Sequence, residues 1–463
     1  MGSRRIQSFL SSKIGLLSAI LVITVFVFSA VLKNDFTNWD EGVHLLNNPD
    51  VRSANLVDIF THVVNLTYIP LTILSFALEY FFFKLNPFVY HLDNLILHLI
   101  VTFLVWGFAR RMGLNLWACF CTALLFGIHP LHVESVAWVT ARKDVLYGVF
   151  YMAAINTYLD FIKSDEPYLY YLSILFSLLS VLAKPMALSL PLILVLLDWY
   201  QGRGLTKKVL FEKLPFLIVV IPVAMITYVL NARVPTSDIV QGSALWLWTL
   251  SFYIQKFIIP CPLIPLYKVS EPISFSNPVY LQAVSVLIIT GFIIFWQRRN
   301  RLVIFEFLFY FLSIFFILRY DNVVDISIVA DRFMYLPMLG FCVLFGVVCD
   351  RILKEKKIFR YLLAVLFLIL SFQTYTQCQV WKDSVTLWNY VIKFSPDSYF
   401  AYASRGVAYA DYGRSDLAMR DYNRALELNP KLTQVYLNRG NEYIRRGNYY
   451  RVKHRKSGSR SRV

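Results

Sequence analysis

The sequence predicts an all-α, polytopic membrane protein with a short helical repeat segment near its end, and three observations carry that reading. Of 463 residues, 57% are apolar and 17% aromatic while only 16% are charged, far from the balance of a water-soluble globular chain. Apolar runs of about 18 residues recur, each long enough to cross a hydrocarbon layer roughly 30 Å thick. Lys and Arg gather at alternate ends of those runs.

A formal charge of +16 would point to nucleic acid in a soluble chain, but in a membrane protein its placement matters more. The clusters are Arg4/Arg5/Lys13, Arg110/Arg111, Arg203/Lys207/Lys208, Arg298/Arg299/Arg301 and Lys354/Lys356/Lys357/Arg360. The positive-inside rule puts these ends in the cytoplasm. Holding them there predicts about eleven spans, at 14–33, 92–110, 115–129, 145–163, 168–183, 186–200, 214–231, 279–296, 302–319, 334–350 and 358–375. The amino terminus is then inside and the carboxyl-terminal segment outside. The first run lacks a small-residue cleavage site, so it reads as an anchor. Residues 69–84 and 244–266 begin and end on the outer side, the second broken by three prolines, and are expected to lie in or re-enter the outer interface.

The membrane domain is expected to cover 1–375, with a long first outer loop at 34–91. A repeat segment at 376–450 follows, and then a basic, solvated and disordered tail at 451–463. Tyr402, Gly406, Tyr409, Ala418, Tyr422, Ala425 and Pro430 fall at the spacings of the tetratricopeptide repeat, a helix pair of about 34 residues. Its small residues let two helices approach while the tyrosines fill between them. A second repeat begins with Tyr436, Gly440 and Tyr443, and Trp388 and Pro396 sit where a preceding second helix puts them. About two repeats is fewer than the roughly three that such arrays need alone, so the segment is expected to lean on the membrane domain or on a partner.

Ionisable groups beside spans are candidates for function because charge near bilayer depth is costly. Asp40 and Glu41, in N-W-D-E-G-V-H after the first span, read in isolation as a solvated loop. The second outer loop, H-P-L-H-V-E-S-V-A-W-V-T-A-R-K-D from His129 to Asp144, adds His132, Glu134, Arg142 and Lys143 on the same face. Its H-x-x-H departs from the four-residue step of helical zinc sites, so no metal is assigned and any divalent-metal need stays open. An anion site with a neighbouring base suits these residues better: Arg forks onto phosphate, Lys adds a point charge, and a carboxylate takes a proton from a hydroxyl. The competing reading is that Arg142 and Lys143 snorkel to lipid headgroups. His91, Asn94 and His98 share one helical side, and Lys184 before Pro185 is either a phosphate contact or a snorkelling lysine. Asp331 and Arg332, in A-D-R-F-M-Y-L-P with Tyr335, either pair with each other or join the site. Cys119, Cys121, Cys342 and Cys349 lie inside apolar runs and read as small core residues. There is no Walker loop, no dinucleotide turn and no Ser/His/Asp constellation. A secondary transporter would place its charges at mid-span.

The motifs N-W-D-E-x6-N-P-D-V, I-P-L-T-x-L-S-F-A-L-E-Y, N-P-F-x-Y-H-L-x-N-L-x-L-H, H-P-L-H-V-E-S-V-A-W-V, R-K-D-V-L, A-K-P-M, L-L-D-W-Y and A-D-R-F-M-Y-L-P follow in order along nearly the whole chain. Together they resemble the bacterial multi-span tetratricopeptide-repeat proteins related to the transmembrane and tetratricopeptide-repeat O-mannosyltransferases. The resemblance implies a GT-C glycosyltransferase fold, a polyprenyl-phosphate-linked sugar donor and an extracytoplasmic active site. It implies that Asp40 or Glu41, with Asp40 favoured, is the general base toward an acceptor hydroxyl, and that Glu134 assists. His91, His132, Arg142, Lys143, Lys184 and Arg332 are then the candidates for the donor phosphate. The expected activity is inverting transfer of a hexose, mannose in the relatives, to a protein or glycan, with the repeats as acceptor contact. The membrane is the bacterial cytoplasmic membrane, or the endoplasmic reticulum in a eukaryote. Departures are Glu41 where an Asp is expected, Ala141 where relatives often carry Glu, and His44 where they often have Tyr; these touch substrate identity more than reaction class. The reading from a different class is a non-catalytic membrane scaffold whose repeats gather envelope proteins.

Overall fold

The computed structural model describes residues 13–231, 238–318, 320, 327–355 and 358–445. Arg4, Arg5, Lys356, Lys357 and the tail 451–463 lie outside them. Among the described residues the regular elements are helices: α1 Lys13–Phe28, α2 Pro70–Phe83, α3 Pro87–Arg111, α4 Leu116–Ile128, α5 Val133–Ala137, α6 Arg142–Ser164, α7 Pro167–Ala183, α8 Leu190–Tyr200, α9 Leu214–Asn231, α10 Ile239–Ile258, α11 Pro278–Trp296, α12 Arg301–Ile314, α13 Leu339–Glu355, α14 Ile358–Cys378, α15 Ser384–Phe394, α16 Tyr399–Asp411, α17 Ser415–Leu428 and α18 Thr433–Arg445, with shorter turns between. The chain divides into two compact units, Met1–Asn34 with Val43–Gln379 and Asp35–Gly42 with Val380–Val463.

In the first unit the expected count of eleven spans is not what the helices support. Among the described residues six helical stretches are long and apolar enough to cross a membrane, Lys13–Lys33, Pro87–Arg111, Val139–Ser164, Lys207–Asn231, Pro278–Trp296 and Ile358–Trp381. A seventh arises if Leu116–Ile128 and Pro130–Ala137, bent by 46°, are one span. The other expected spans are helical but short. At about 1.5 Å per residue, the 17 residues of α7 and the 11 of α8 fall below the roughly 30 Å of a hydrocarbon core. Lys184 and Pro185 cause the break between them: Lys184 leaves the helix in an extended conformation, and proline has no N–H to continue it. The stretch at 69–84 is the 14-residue α2, and the one at 244–266 is helical only as far as Ile258, where α10 stops ahead of Pro260.

Polar pairs mark the two ends of this bundle. At the end carrying the basic clusters, Arg111 of α3 forks onto Asp160 of α6 at 2.7 and 2.8 Å. Asp198, buried at the end of α8, receives Lys213 at 2.6 Å, Arg203 at 3.2 Å and the Tyr158 hydroxyl at 2.9 Å. Asn115, before α4, donates to Asp350 of α13 at 2.9 Å. Above that pair α4 and α13 pack closely, and a side chain at Gly346 would put its Cβ 2.2 Å from the Thr122 hydroxyl and 2.5 Å from the Ala118 carbonyl. The opposite end gathers the turn Pro130–His132, α5, Lys184 and the Asp331–Met334 turn, and it carries the candidate chemistry.

The second unit holds α15 to α18. Asp383 and Ser398 cap α15 and α16 by accepting from Thr386 and Ala401 N–H. Ala410, Ala418, Met419, Tyr422, Ala425, Leu426 and Val435 form its core, with Tyr402, Tyr409 and Tyr443 against it. Arg405 bridges α16 and α17 through both oxygens of Asp421, at 2.7 Å each. Gly406 faces the Tyr422 ring so closely that a Cβ there would sit 2.7 Å away. Gly406→Ala should therefore overpack this helix pair and cost about 1–3 kcal/mol. Faster limited proteolysis of the α16–α17 region in the full-length protein would report it, while Gly440→Ala, in α18, has nothing within 4 Å to clash with.

Candidate functional site

The acidic turn belongs to the second unit. Residues 35–42 carry Asp40 and Glu41 and are fixed by side chains and carbonyls far along the chain. Asp35 N–H donates to the Lys382 carbonyl at 2.8 Å. Asn38 is held at three points: its N–H donates to Ser384 Oγ at 2.9 Å, its Nδ2 to the Ser404 carbonyl at 2.8 Å, and its Oδ1 accepts from Trp388 Nε1 at 2.7 Å. Trp39 stacks on Trp381, ring centres 6.0 Å apart and planes 6° from parallel, and tilts against Trp388 at 5.4 Å. Within this frame Glu41 is buried, and its Oε1 accepts from the Thr37 hydroxyl at 2.7 Å. Asp40 is half-buried.

The remaining candidates lie in the first unit, where two groups of charge with different character occur. The first is centred on Arg142 at the start of α6. Its guanidinium is wholly buried and meets Asp93 at 2.6 Å, Glu79 at 3.0 Å, the Tyr90 carbonyl at 2.9 Å and Asn94 Oδ1, over the Phe76 ring. Its donors are committed to protein partners that link α2, α3 and α6, so it is a tie between helices. Burial raises Glu79 to about 7, opposed by the adjacent Arg142. His132 is also committed: its ring nitrogens face the Phe126 and Tyr335 carbonyls at 2.7 and 3.1 Å, and its ring packs against Phe126, His98 and Tyr335. His98 in turn faces the Tyr335 hydroxyl at 2.9 Å. His91 is buried at the start of α3, and its neighbour Asn94 serves Arg142.

The second group is cationic and partly open. Lys143 and Arg332 stand over the same Trp138 ring at 5.7 and 5.2 Å, and Arg332 and Lys184 over Phe333 at 5.1 and 5.4 Å. Lys143 and Arg332 are half-buried, whereas Lys184 is buried and paired with buried Asp144. Burial lowers Lys184 to about 8, opposed by Asp144 and reinforced by the charges of Arg332 and Lys143. Arg332 joins Glu134, whose Oε2 accepts its backbone N–H at 2.9 Å and whose Oε1 takes its guanidinium. Asp331 accepts from the Tyr267 hydroxyl at 2.8 Å, and its burial, with Glu134 nearby, pushes its carboxyl well above the usual range. Three cations thus share two aromatic rings with two carboxylates, Glu134 and Asp144. Among the described residues no three His, Cys, Asp or Glu side chains are placed to hold a metal ion.

Sequence reasoning passed over Glu79, Lys256 and Tyr267. Lys256 donates to the Pro262 carbonyl at 2.6 Å and lies over the Tyr267 ring at 5.2 Å, beside the Asp331 pair. The available signal was a charge inside an apolar stretch, Glu79 in 69–84 and Lys256 in 244–266, which a buried environment does not tolerate without a partner. The two groups differ in a measurable way. Arg142→Met leaves Glu79 and Asp93 without their cation and should destabilise by about 3–5 kcal/mol, read as a fall in the thermal midpoint of the purified protein, whereas Lys143→Ala, at a half-buried side chain, should lower that midpoint by less.

Comparison with known proteins places these motifs in company. A tetratricopeptide repeat family model matches residues 399–432. A protein O-mannosyl-transferase of Caenorhabditis elegans is 25% identical over 452 residues, 90% of this chain and 63% of that protein. Protein O-mannosyl-transferase TMTC1 of Mus musculus is 35% identical over 143 residues, 27% of this chain and 15% of that one. The matched stretch is thus less than two thirds of either relative's own length. Among solved structures, that of ArnT from Cupriavidus metallidurans bound to undecaprenyl phosphate overlaps with a TM-score of 0.44 at 14% identity, over 89% of this chain and 76% of that one. The chain is a tetratricopeptide-repeat membrane protein similar to the O-mannosyl-transferases.

Proposed function

We propose that this protein is an inverting glycosyltransferase of the GT-C type. It moves a hexose, mannose by analogy with the relatives' name, from a polyprenyl-phosphate carrier to a hydroxyl of a protein or glycan on the extracytoplasmic side. The observation that carries the reading is the group of Lys143, Arg332 and Lys184 around Trp138 and Phe333, at the end of the bundle away from the basic clusters. A phosphate ester is the ligand that such a group suits: a half-buried guanidinium and a half-buried ammonium to meet the charge, and a second, buried ammonium behind them. Glu134 is then a positioning residue, since it holds both the backbone and the side chain of Arg332. Arg142 and His132, committed to protein partners, drop out of the phosphate contacts.

The reaction asks for one proton acceptor and one leaving-group site. The carboxylate of Asp40 takes the proton of the acceptor hydroxyl as its oxygen bonds to the anomeric carbon from the face opposite the phosphate. The bond from that carbon to the phosphate oxygen breaks, and its electron pair leaves with the polyprenyl phosphate. A single displacement inverts the anomeric centre. Asp40 suits the base better than Glu41 because it is the more exposed of the two, whereas Glu41 is buried and engaged by Thr37.

Transfer of sugar from a polyprenyl-phosphate donor in membranes tests this. Asp40→Asn should lower kcat about 10²–10⁴-fold, the usual contribution of a general base, and Glu41→Gln by less. Full activity in both variants removes the proposed base. If the sole function were a scaffold, partner capture would survive both substitutions and be lost on removing 381–463. Lys184 supplies a second check. Its ammonium is complete below about 8 and is lost as pH rises through that value, so KM for the donor should rise above about pH 8. Lys184→Arg, which stays charged, should flatten that rise.

A further inference from the structure

We propose that the carboxyl-terminal helical unit is the positioning frame of the acidic turn, in addition to being a repeat module. Ser384 and Trp388 are the side chains that aim Asp40, acting through Asn38 and Trp39. The proposal rests on the reading of Asp40 as the base and goes beyond it, since it assigns catalytic consequence to residues some 350 positions away in sequence.

A loop that leaves a span would ordinarily be solvated and variable in conformation. Here the residue two positions before Asp40 has its N–H, its amide nitrogen and its amide oxygen all engaged by the far end of the chain. Ser384 and Trp388 are four residues apart on one side of α15, and Trp381 ends the short turn just before it. Together they offer an indole, a hydroxyl acceptor and an indole N–H in sequence. Trp39 stacks on the first, the Asn38 N–H meets the second, and the Asn38 amide oxygen meets the third. Asp383 sets the register by capping the helix through the Thr386 N–H at 2.8 Å, which places Ser384 at its first turn. The carbonyl of Ser404, on the next helix, receives the remaining amide proton of the set. Two helices therefore fix the backbone immediately before a half-buried carboxylate. Misplacement of a reacting group by about 1 Å can cost about 10²-fold in rate, so a frame of this kind bears on kcat more than on donor affinity.

The test uses the full chain with a polyprenyl-phosphate sugar as donor, and amide hydrogen exchange of residues 35–42 as a readout independent of activity. Ser384→Ala and Trp388→Phe, the second keeping the ring and losing the N–H, are each expected to lower kcat tenfold or more. KM for the donor should change little, and exchange in the turn should be faster. Ser384→Thr, which restores a hydroxyl, should recover both. Wild-type kcat in Ser384→Ala and Trp388→Phe alongside an inactive Asp40→Asn would overturn the proposal while leaving the glycosyltransferase reading intact. Unchanged exchange at 35–42 in both variants would overturn it whatever the rates. Activity retained in Asp40→Asn and Glu41→Gln defeats the glycosyltransferase reading instead, and the exchange result still reports whether the frame holds the turn.

Discussion

A guanidinium with no exposed surface has to be matched inside the protein, and the arrangement of the first unit follows from how Arg142 is matched. Removing one ion from water costs several kcal/mol even after relaxation, and its partner repays this only with good geometry and further hydrogen bonds. Arg142 has both: Glu79 from α2, Asp93 and Asn94 from α3, and the Tyr90 carbonyl. Because these partners sit on different helices, the pairing fixes α2 against α3 and both against the start of α6. The same rule operates at the other end, where buried Asp198 draws together Lys213, Arg203 and Tyr158.

A second set of charges has a different setting. Lys143 directly follows Arg142 in sequence, yet it is half-buried where Arg142 is wholly buried. Arg332, half-buried, is oriented by Glu134, and Lys184 sits behind with Asp144. An excess of positive charge held on aromatic faces, where part of its hydration has been removed, interacts more strongly with an anion than the same charge in water. The acidic turn obeys a parallel logic: Asn38 and Trp39 are spent on structure so that Asp40 can be presented at the edge.

Much of this was legible in the residues. Tyr402, Gly406, Ala418 and Tyr422 announced a helix pair because only small residues admit such close approach, and the space at Gly406 is occupied by the Tyr422 ring. The buried cysteines and the helical stretches followed from apolar patterning. The number of spans did not, because apolarity marks what is hidden from water without distinguishing lipid from protein; α7 and α8 are apolar and short. Nor did the roles of the individual cations. Arg142 and Lys143 are adjacent, and their residue types gave no reason to treat them differently.

The sequence by itself determined the helical class, the repeat, the resemblance to O-mannosyltransferases and the list of ionisable groups that could carry chemistry, since periodicity, composition and motif spacing are local properties. Tertiary structure decided which of those groups are committed and which are presented. Arg142 became a tie, Asp331 accepted from Tyr267, and the N-W-D-E turn was claimed by helices from the far end of the chain. The physical reason is that the cost of a buried charge depends on partners brought together in space, and Trp388 lies 350 residues from the asparagine it holds.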